Sequence, residues 1–217
     1  MTDDLILRVE IIEACRSMNR LGINKGTSGN ISMRNDKGLL ISPTGMAYEA
    51  LHPEHIVQVF WDGTYTGDVE PSSEWRFHRD ILKARPDLNA VVHTHAKFTT
   101  AVSILGKDIP AIHYGIAAAG GNNVRCAPYE TFGTPELAAR VVTALEGRRA
   151  CLMAHHGVIT AHATLAKAMT LAVTVEELAQ QYLLCLPMGE PPILSDDEMG
   201  QVLEKFKTYG QQPRKAA

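Results

Sequence analysis

Asn35-Asp36-Lys37-Gly38 is a tight turn set between two short strand-like runs, Ile31-Ser32-Met33-Arg34 and Leu39-Leu40-Ile41. Runs this close together pair as an antiparallel hairpin, because a parallel partner needs a crossover of a dozen or more residues. Further strand signals follow at Ile56 to Trp61, at Ala90 to His93, at Cys151 to Met153 and at Gly157 to Thr160. Helical periodicity runs from about residue 4 to 20, with Leu5, Val9, Ile12, Cys15, Met18 and Leu21 on one face and Gly22 as the stop. Pro71-Ser72-Ser73 caps a helix from about Glu74 to Lys83, and Lys97 to Leu105 is expected to be helical. Thr134-Pro135 opens a helix to about Glu146, Thr164 to Leu184 is a long apolar-faced helix, and a last helix runs from Ser195 to near Tyr209-Gly210. Ala117 to Gly121 reads as a small-residue loop. The βαβ alternation of a doubly wound fold is not clear. The pattern predicts an α/β, three-layer α/β/α fold with a central, largely antiparallel sheet, in one domain over residues 1–217.

Bulk properties narrow the function classes. A chain of 217 residues with 45% hydrophobic and 21% charged content can bury a sizeable core. A net charge of -3 and the lack of any Lys/Arg-rich stretch argue against a nucleic-acid partner. No stretch approaches the length of a membrane span. Cys15, Cys126, Cys151 and Cys185 are widely separated and form no CxxC, so reduced thiols are expected. The N-terminal MTDDLILRVE lacks the basic region and continuous apolar core of a secretory leader, and the expected location is the cytoplasm.

The histidines carry the chemistry. In VVHTHA, His93 and His95 follow an apolar strand, and side chains two apart on a strand face the same way. Neutral imidazoles converging from one rigid element suit zinc and its borderline neighbours. One member of His155-His156 in LMAHHGV would complete three protein ligands, and Glu74 in PSSEWRFH could add a carboxylate. Taken singly, HxH could be a hydrogen-bonded core pair, and Glu74 a favourable first-turn acid. Together they point to a metal site. Spacing alone leaves open which member of the doublet is the ligand.

Two segments suit an anion. Lys25-Gly26-Thr27-Ser28-Gly29-Asn30 offers glycines that let backbone N–H groups approach closely, with hydroxyl and amide donors beside them. Pro71-Ser72-Ser73 puts two hydroxyls at a helix start. Neither is a nucleotide fingerprint, since GxGxxG and GxxxxGK[ST] are both absent. A metal beside an anion site points to a small phosphorylated substrate. Hydrolysis and carbon–carbon cleavage both remain open on spacing, with Glu74 as a base and Tyr114 in AIHYG as an acid.

The ordered set GTSGNIS, ISPTG, SSEWRFH, VVHTHA, IPAIHY, CAPYETFGT, HHGV and VLEKFKTYG resembles the class II aldolase/adducin family over nearly the whole chain. The resemblance implies one divalent metal per subunit, Zn2+ first, with Co2+, Mn2+ or Fe2+ as substitutes. Its ligands would be His93, His95 and His156, with Glu74 as a fourth that leaves when substrate binds and then serves as the base. His155 is left as a supporting neighbour. Gly29, Asn30, Thr44, Gly45, Ser72 and Ser73 match phosphate-binding positions, and Phe132 and Tyr209 match residues near the aldehyde end. Tyr114 matches a proton donor reached from a neighbouring subunit of a homotetramer.

The implied reaction is cleavage of L-fuculose 1-phosphate to dihydroxyacetone phosphate and L-lactaldehyde through a metal-stabilised enediolate. The same mechanism on 5-methylthioribulose 1-phosphate or 5-deoxyribulose 1-phosphate is the alternative. A 4-epimerase, a dehydratase and a non-enzymatic interaction domain on this scaffold are further readings. The motifs at IHY and KFKTYG and the intact set Glu74, His93, His95 and His156 argue against these.

Overall fold

A computed structural model of the chain describes residues 3–208. Helix α1 (Asp3–Arg20) leads into the hairpin β1 (Asn30–Asn35) and β2 (Gly38–Ile41), then β3 (Val57–Phe60) and β4 (Tyr65–Thr66). Next come α2 (Trp75–Ala84), β5 (Ala90–Thr94), α3 (Lys97–Ile104), β6 (Arg125–Ala127) and α4 (Pro135–Ala144). The hairpin β7 (Ala150–Met153) and β8 (Gly157–His162), then α5 (Leu165–Cys185) and α6 (Asp196–Phe206), complete the described chain.

All eight strands form one sheet, in the order β4-β3-β2-β1-β5-β8-β7-β6. The predicted hairpin is present, with Asn35 opposite Gly38 and Arg34 opposite Leu39. Every pairing is antiparallel except β6 with β7. That exception comes from a single β6–α4–β7 crossover, the geometry a parallel pair requires. The sheet is therefore mixed, with helices around it.

Strand alternation sorts the core into layers. Ile31, Met33, Leu40, Ala90 and Val92 pack with Ile11, Cys15 and Met18 of α1 and with Ala168 and Ala172 of α5. Leu39, Ile41, Val91 and Ile159 point the other way, onto Phe77, Ile81 and Leu82 of α2 and Leu137 and Val141 of α4. A third cluster joins Val102 of α3 to Val175 and Leu178 of α5 and Met199 of α6. A strand such as β5, buried on every residue, reads as a continuous apolar run because both of its faces are covered.

Helix ends follow their local signals. The Thr134 hydroxyl accepts the Leu137 N–H ahead of Pro135, and Ser195 forms a capping box with Glu198. The small-residue segment expected as loop is the end of a 3-10 helix, Tyr114–Ala119, stopped by Gly120 at φ 92°. Strands β4 and β6 were not expected; at two and three residues they are too short to show a period. The last helix ends at Phe206, and Tyr209-Gly210 lie outside the described residues. Among the described residues no helix is long and apolar enough to cross a membrane, and all four cysteines are free thiols.

Candidate active site

The backbone brings the predicted ligands together from three separate elements. His93 lies on β5, in register with Asn30 of β1 on one side and Ile159 of β8 on the other. It shares a face with Val91, so it points toward the α2 layer, and His95 follows just past the strand end. Glu74 is the residue before α2 rather than its first turn, and its side chain makes no capping bond. The carboxylate turns instead toward the imidazoles. This removes the simple reading of Glu74 as a first-turn acid.

His156 comes from the tight turn between β7 and β8, where Met153 pairs with Gly157. His155 is the only non-glycine residue with positive φ, 56°, among the described residues. A left-handed residue at that point turns the chain so that the two members of the doublet diverge. The next residue has to be glycine: a Cβ at Gly157 would sit 2.6 Å from the Thr94 carbonyl oxygen and 3.2 Å from His95 Cδ2. Phe77 of α2 supports the cluster from below, edge-on to His93 at 5.5 Å between ring centroids.

The donor atoms face one another. His93 Nε2 lies 2.9 Å from His95 Nε2 and 3.2 Å from Glu74 Oε2, while His156 Nε2 lies 3.1 Å from Glu74 Oε1. One donor atom from each of the four residues falls within 4.8 Å of all the others. Ligands about 2.0 Å from a tetrahedral ion are separated by about 3.3 Å, so these spacings suit a four-coordinate cation.

The proton inventory supports the same reading. His93 Nδ1 is 3.0 Å from the Val158 carbonyl oxygen, which can only accept, so the ring proton sits on Nδ1. Nε2 then presents a lone pair to the cluster, the tautomer a metal ligand needs. Glu74 Oε1 is buried and, apart from its 3.1 Å contact with His156 Nε2, has no hydrogen-bond partner among the described residues. Lone pairs facing each other and an orphaned carboxylate oxygen call for a positive charge among them. Burial, then the nearness of the His93 and His156 rings, pushes His95 down to about 4, which keeps it neutral and able to ligate at neutral pH. Burial alone would raise the Glu74 carboxyl, but the facing His93 and His156 hold it far below the usual carboxylate range. The donor set therefore fits a divalent metal.

Next to this cluster is a cavity of about 480 Å³. Gly29, Asn30, Thr44, Gly45, Ser72 and Ser73 all line it, together with Glu74, His95 and His156. Among the described residues no lysine or arginine lines it, so an anion there would be held by N–H groups and hydroxyls. Gly29 is needed where the loop crosses β5, because a Cβ would lie 2.7 Å from the His93 carbonyl oxygen. The Ser72 hydroxyl accepts the Glu74 backbone N–H at 3.3 Å, which ties the Pro71-Ser72-Ser73 turn to the residue that carries the carboxylate.

Phe132 is on the cavity wall and 65% exposed. Tyr114 is 55% exposed and is not part of the wall. Tyr209 lies outside the described residues. Tyr129 and Glu130, within the CAPYETFGT motif, also line the wall and were not singled out from sequence; His155, expected as a supporting neighbour, is on the wall too, and its ring meets Tyr129 edge-on at 6.1 Å. His78 was also missed. It is fully buried behind Asn30, and burial lowers it to about 3.

Residues 9–183 match the family model described as Class II Aldolase and Adducin N-terminal domain. The 5-methylthioribulose-1-phosphate/5-deoxyribulose-1-phosphate aldolase of Rhodospirillum rubrum is 55% identical over 206 residues, 95% of this chain and 93% of that protein. The L-fuculose phosphate aldolase of Escherichia coli (strain K12) is 55% identical over 202 residues, 93% of this chain and 94% of that protein. A solved structure of an L-fuculose 1-phosphate aldolase superposes with a TM-score of 0.90 at 36% identity, covering 93% of this chain and 96% of that one. The chain belongs to the class II aldolase/adducin family.

Proposed function

We propose that the chain is a metal-dependent aldolase that cleaves L-fuculose 1-phosphate into dihydroxyacetone phosphate and L-lactaldehyde. The observation that carries this reading is the continuity of the site: the donor set Glu74, His93, His95 and His156 opens into a cavity walled by Gly29, Asn30, Thr44, Gly45, Ser72 and Ser73. A ketose phosphate carries a phosphate and a carbonyl-hydroxyl pair in one small molecule, which suits a donor set that adjoins an N–H- and hydroxyl-lined cavity. Relatives and a solved structure bearing this activity's name support it.

A divalent ion held by the four residues would supply Lewis-acid charge opposite the negative charge that develops on the ketose oxygens. Zn2+ suits three imidazoles and a carboxylate, and Co2+, Mn2+ or Fe2+ would also be accepted. The glycine loops and serine hydroxyls hold the phosphate and fix the substrate. As C3–C4 breaks, the C4 hydroxyl loses its proton and the electron pair stays with C3. Tyr114, reaching in from a neighbouring subunit of a homotetramer, takes the proton that the C4 hydroxyl loses and passes it to solvent. Glu74, turned away from the imidazoles, recovers its basicity, takes up a proton and delivers it to C3, so that one proton leaves and one returns. Phe132 and Tyr209 flank the aldehyde half. The catalytic unit is the single domain over 1–217, acting in the cytoplasm.

A second reading keeps the mechanism and changes the aldehyde. The 55% identity to the Rhodospirillum rubrum enzyme supports 5-methylthioribulose 1-phosphate or 5-deoxyribulose 1-phosphate as substrate. Glu130 and His155 on the cavity wall favour the fuculose reading, because L-lactaldehyde carries a hydroxyl for them to bond and a methylthio aldehyde does not. Metal-loaded protein is incubated with each ketose 1-phosphate, and released dihydroxyacetone phosphate is coupled to its reduction. The proposal expects the highest kcat/KM on L-fuculose 1-phosphate. Faster cleavage of the methylthio sugar transfers the assignment, and release from none of them ends the aldolase reading.

A further inference from the structure

Behind the donor cluster, four buried polar side chains form one line. Asn30 and Ser32 sit two apart on β1 and so face the same way, toward α2. Glu74 and His78 are four apart at the start of α2 and lie above one another on the facing side. Ser32 Oγ is 2.7 Å from His78 Nδ1, His78 Nε2 is 2.5 Å from Asn30 Oδ1, and Asn30 Nδ2 donates to Glu74 Oε2 at 2.9 Å. Ser32 and His78 are fully buried, and Asn30 and Glu74 nearly so.

Each bond in this line has only one possible direction. The carboxylate of Glu74 can only accept, so the amide nitrogen of Asn30 must face it. Asn30 Oδ1 then faces His78 Nε2, which must donate. A neutral imidazole has one N–H, so Nδ1 accepts, and the Ser32 hydroxyl supplies the proton. A flipped Asn30 would put its carbonyl against the carboxylate, losing that buried bond, and would force His78 into its other tautomer, with Nδ1 donating to Ser32.

We infer that His78 is a positioning residue: by fixing the orientation of the Asn30 amide, it holds the Glu74 carboxylate in the pose in which the four donor atoms converge. The inference rests on the metal-centred reading of the site. What singles His78 out is its partner: the ring nitrogen nearer the site bonds the Asn30 amide that in turn holds Glu74, not a backbone group. Asn30 also lines the cavity, so the amide N–H that restrains Glu74 becomes available to a substrate oxygen when the carboxylate swings away.

The test is a double-mutant cycle read on metal binding, with no sugar present. The Co2+ dissociation constant of the stripped protein is measured by chelator competition, and the visible Co2+ spectrum is recorded. His78→Leu is expected to weaken Co2+ about 10- to 100-fold and shift its bands, the usual effect of losing a partner behind a ligand. His78→Gln, whose amide can accept from Ser32 and donate to Asn30, restores affinity to within about threefold. In an Asn30→Ala background, His78→Leu costs nothing further, because its intermediary is gone. Additive losses, or a His78→Leu protein with unaltered Co2+ affinity and spectrum, overturn the inference. If His78→Leu does not fold, Ser32→Ala replaces it: Co2+ weakens about threefold in the wild-type background and not at all beside Asn30→Ala. Equal losses in both backgrounds overturn the inference. Because no ketose phosphate enters the cycle, its failure and the failure of the aldolase reading are separate results.

Discussion

Replacing Gly157 by alanine adds one methyl group at the start of β8, between the strand and the metal-site histidines. The new Cβ would sit 2.6 Å from the Thr94 carbonyl oxygen, 3.2 Å from His95 Cδ2 and 3.4 Å from His93 Cε1. A comfortable carbon–oxygen contact is about 3.3 Å, so β5 and β8 must separate locally by about 0.7 Å. The ladder that pairs Thr94 with Val158 and His93 with Ile159 resists that movement. Overpacking of this kind costs about 1–3 kcal/mol, and the entropic advantage of alanine over glycine returns about 0.5–1 kcal/mol. The net loss is about 0–2.5 kcal/mol, centred near 1 kcal/mol, which for a chain of this size lowers the melting temperature by about 2–5 °C and by about 10 °C at most. Both contacted rings belong to the proposed metal site, so metal affinity should also fall about 10- to 100-fold. Calorimetry of the stripped protein and chelator competition with Zn2+ measure the two effects. A melting temperature that rises, as for an unhindered glycine-to-alanine change in a strand, together with unaltered Zn2+ affinity, would refute the argument.

Three other outcomes follow from the site. Glu74→Gln keeps its shape and its bond from Asn30 but loses its basicity; turnover should drop about 10²- to 10⁴-fold while much of the metal is retained, and full activity would remove Glu74 as the base. Tyr114→Phe should lower kcat about 100-fold and leave Zn2+ content unchanged, as measured by steady-state kinetics and elemental analysis; unchanged kcat would exclude Tyr114 from proton transfer. The stripped protein should lose stability as pH falls below 6.5. His78 in the fold is lowered from 6.5 to about 3, so the unfolded chain takes up a proton that the folded chain refuses. That loss approaches about 1.4 kcal/mol per pH unit, is absent above pH 6.5, and grows until the pH reaches the folded value. His95 and His162, each lowered to about 4 chiefly by burial, act in the same direction. Thermal melts between pH 7 and pH 5 check this, and a flat profile contradicts it.

Local signals in the sequence were enough wherever one element decides the outcome. The Asn35–Gly38 turn fixes the β1–β2 register, and the caps at Thr134 and Ser195 set two helix starts. The HxH spacing placed His93 and His95 on one side of β5 because strand geometry has a period of two. Features made by long-range pairing were not legible. Strand β6 exists through its parallel partner β7, and its three residues carry no periodic signal. The choice within His155-His156 depends on a left-handed φ at His155 that no side-chain preference announces. His78 had a readable spacing from Glu74, as Ser32 had from Asn30. Only the packing of α2 onto β1 shows that the two pairs meet and that both ring nitrogens are used.

The central claim, that Glu74, His93, His95 and His156 hold a divalent ion on which ketose phosphate cleavage depends, is tested most directly by titrating Zn2+ into chelator-stripped protein. The quantity measured is the rate of dihydroxyacetone phosphate release from L-fuculose 1-phosphate. The account predicts a rate near zero without metal, a linear rise, and a plateau at one ion per chain. A stripped protein that already turns over at the plateau rate would contradict it.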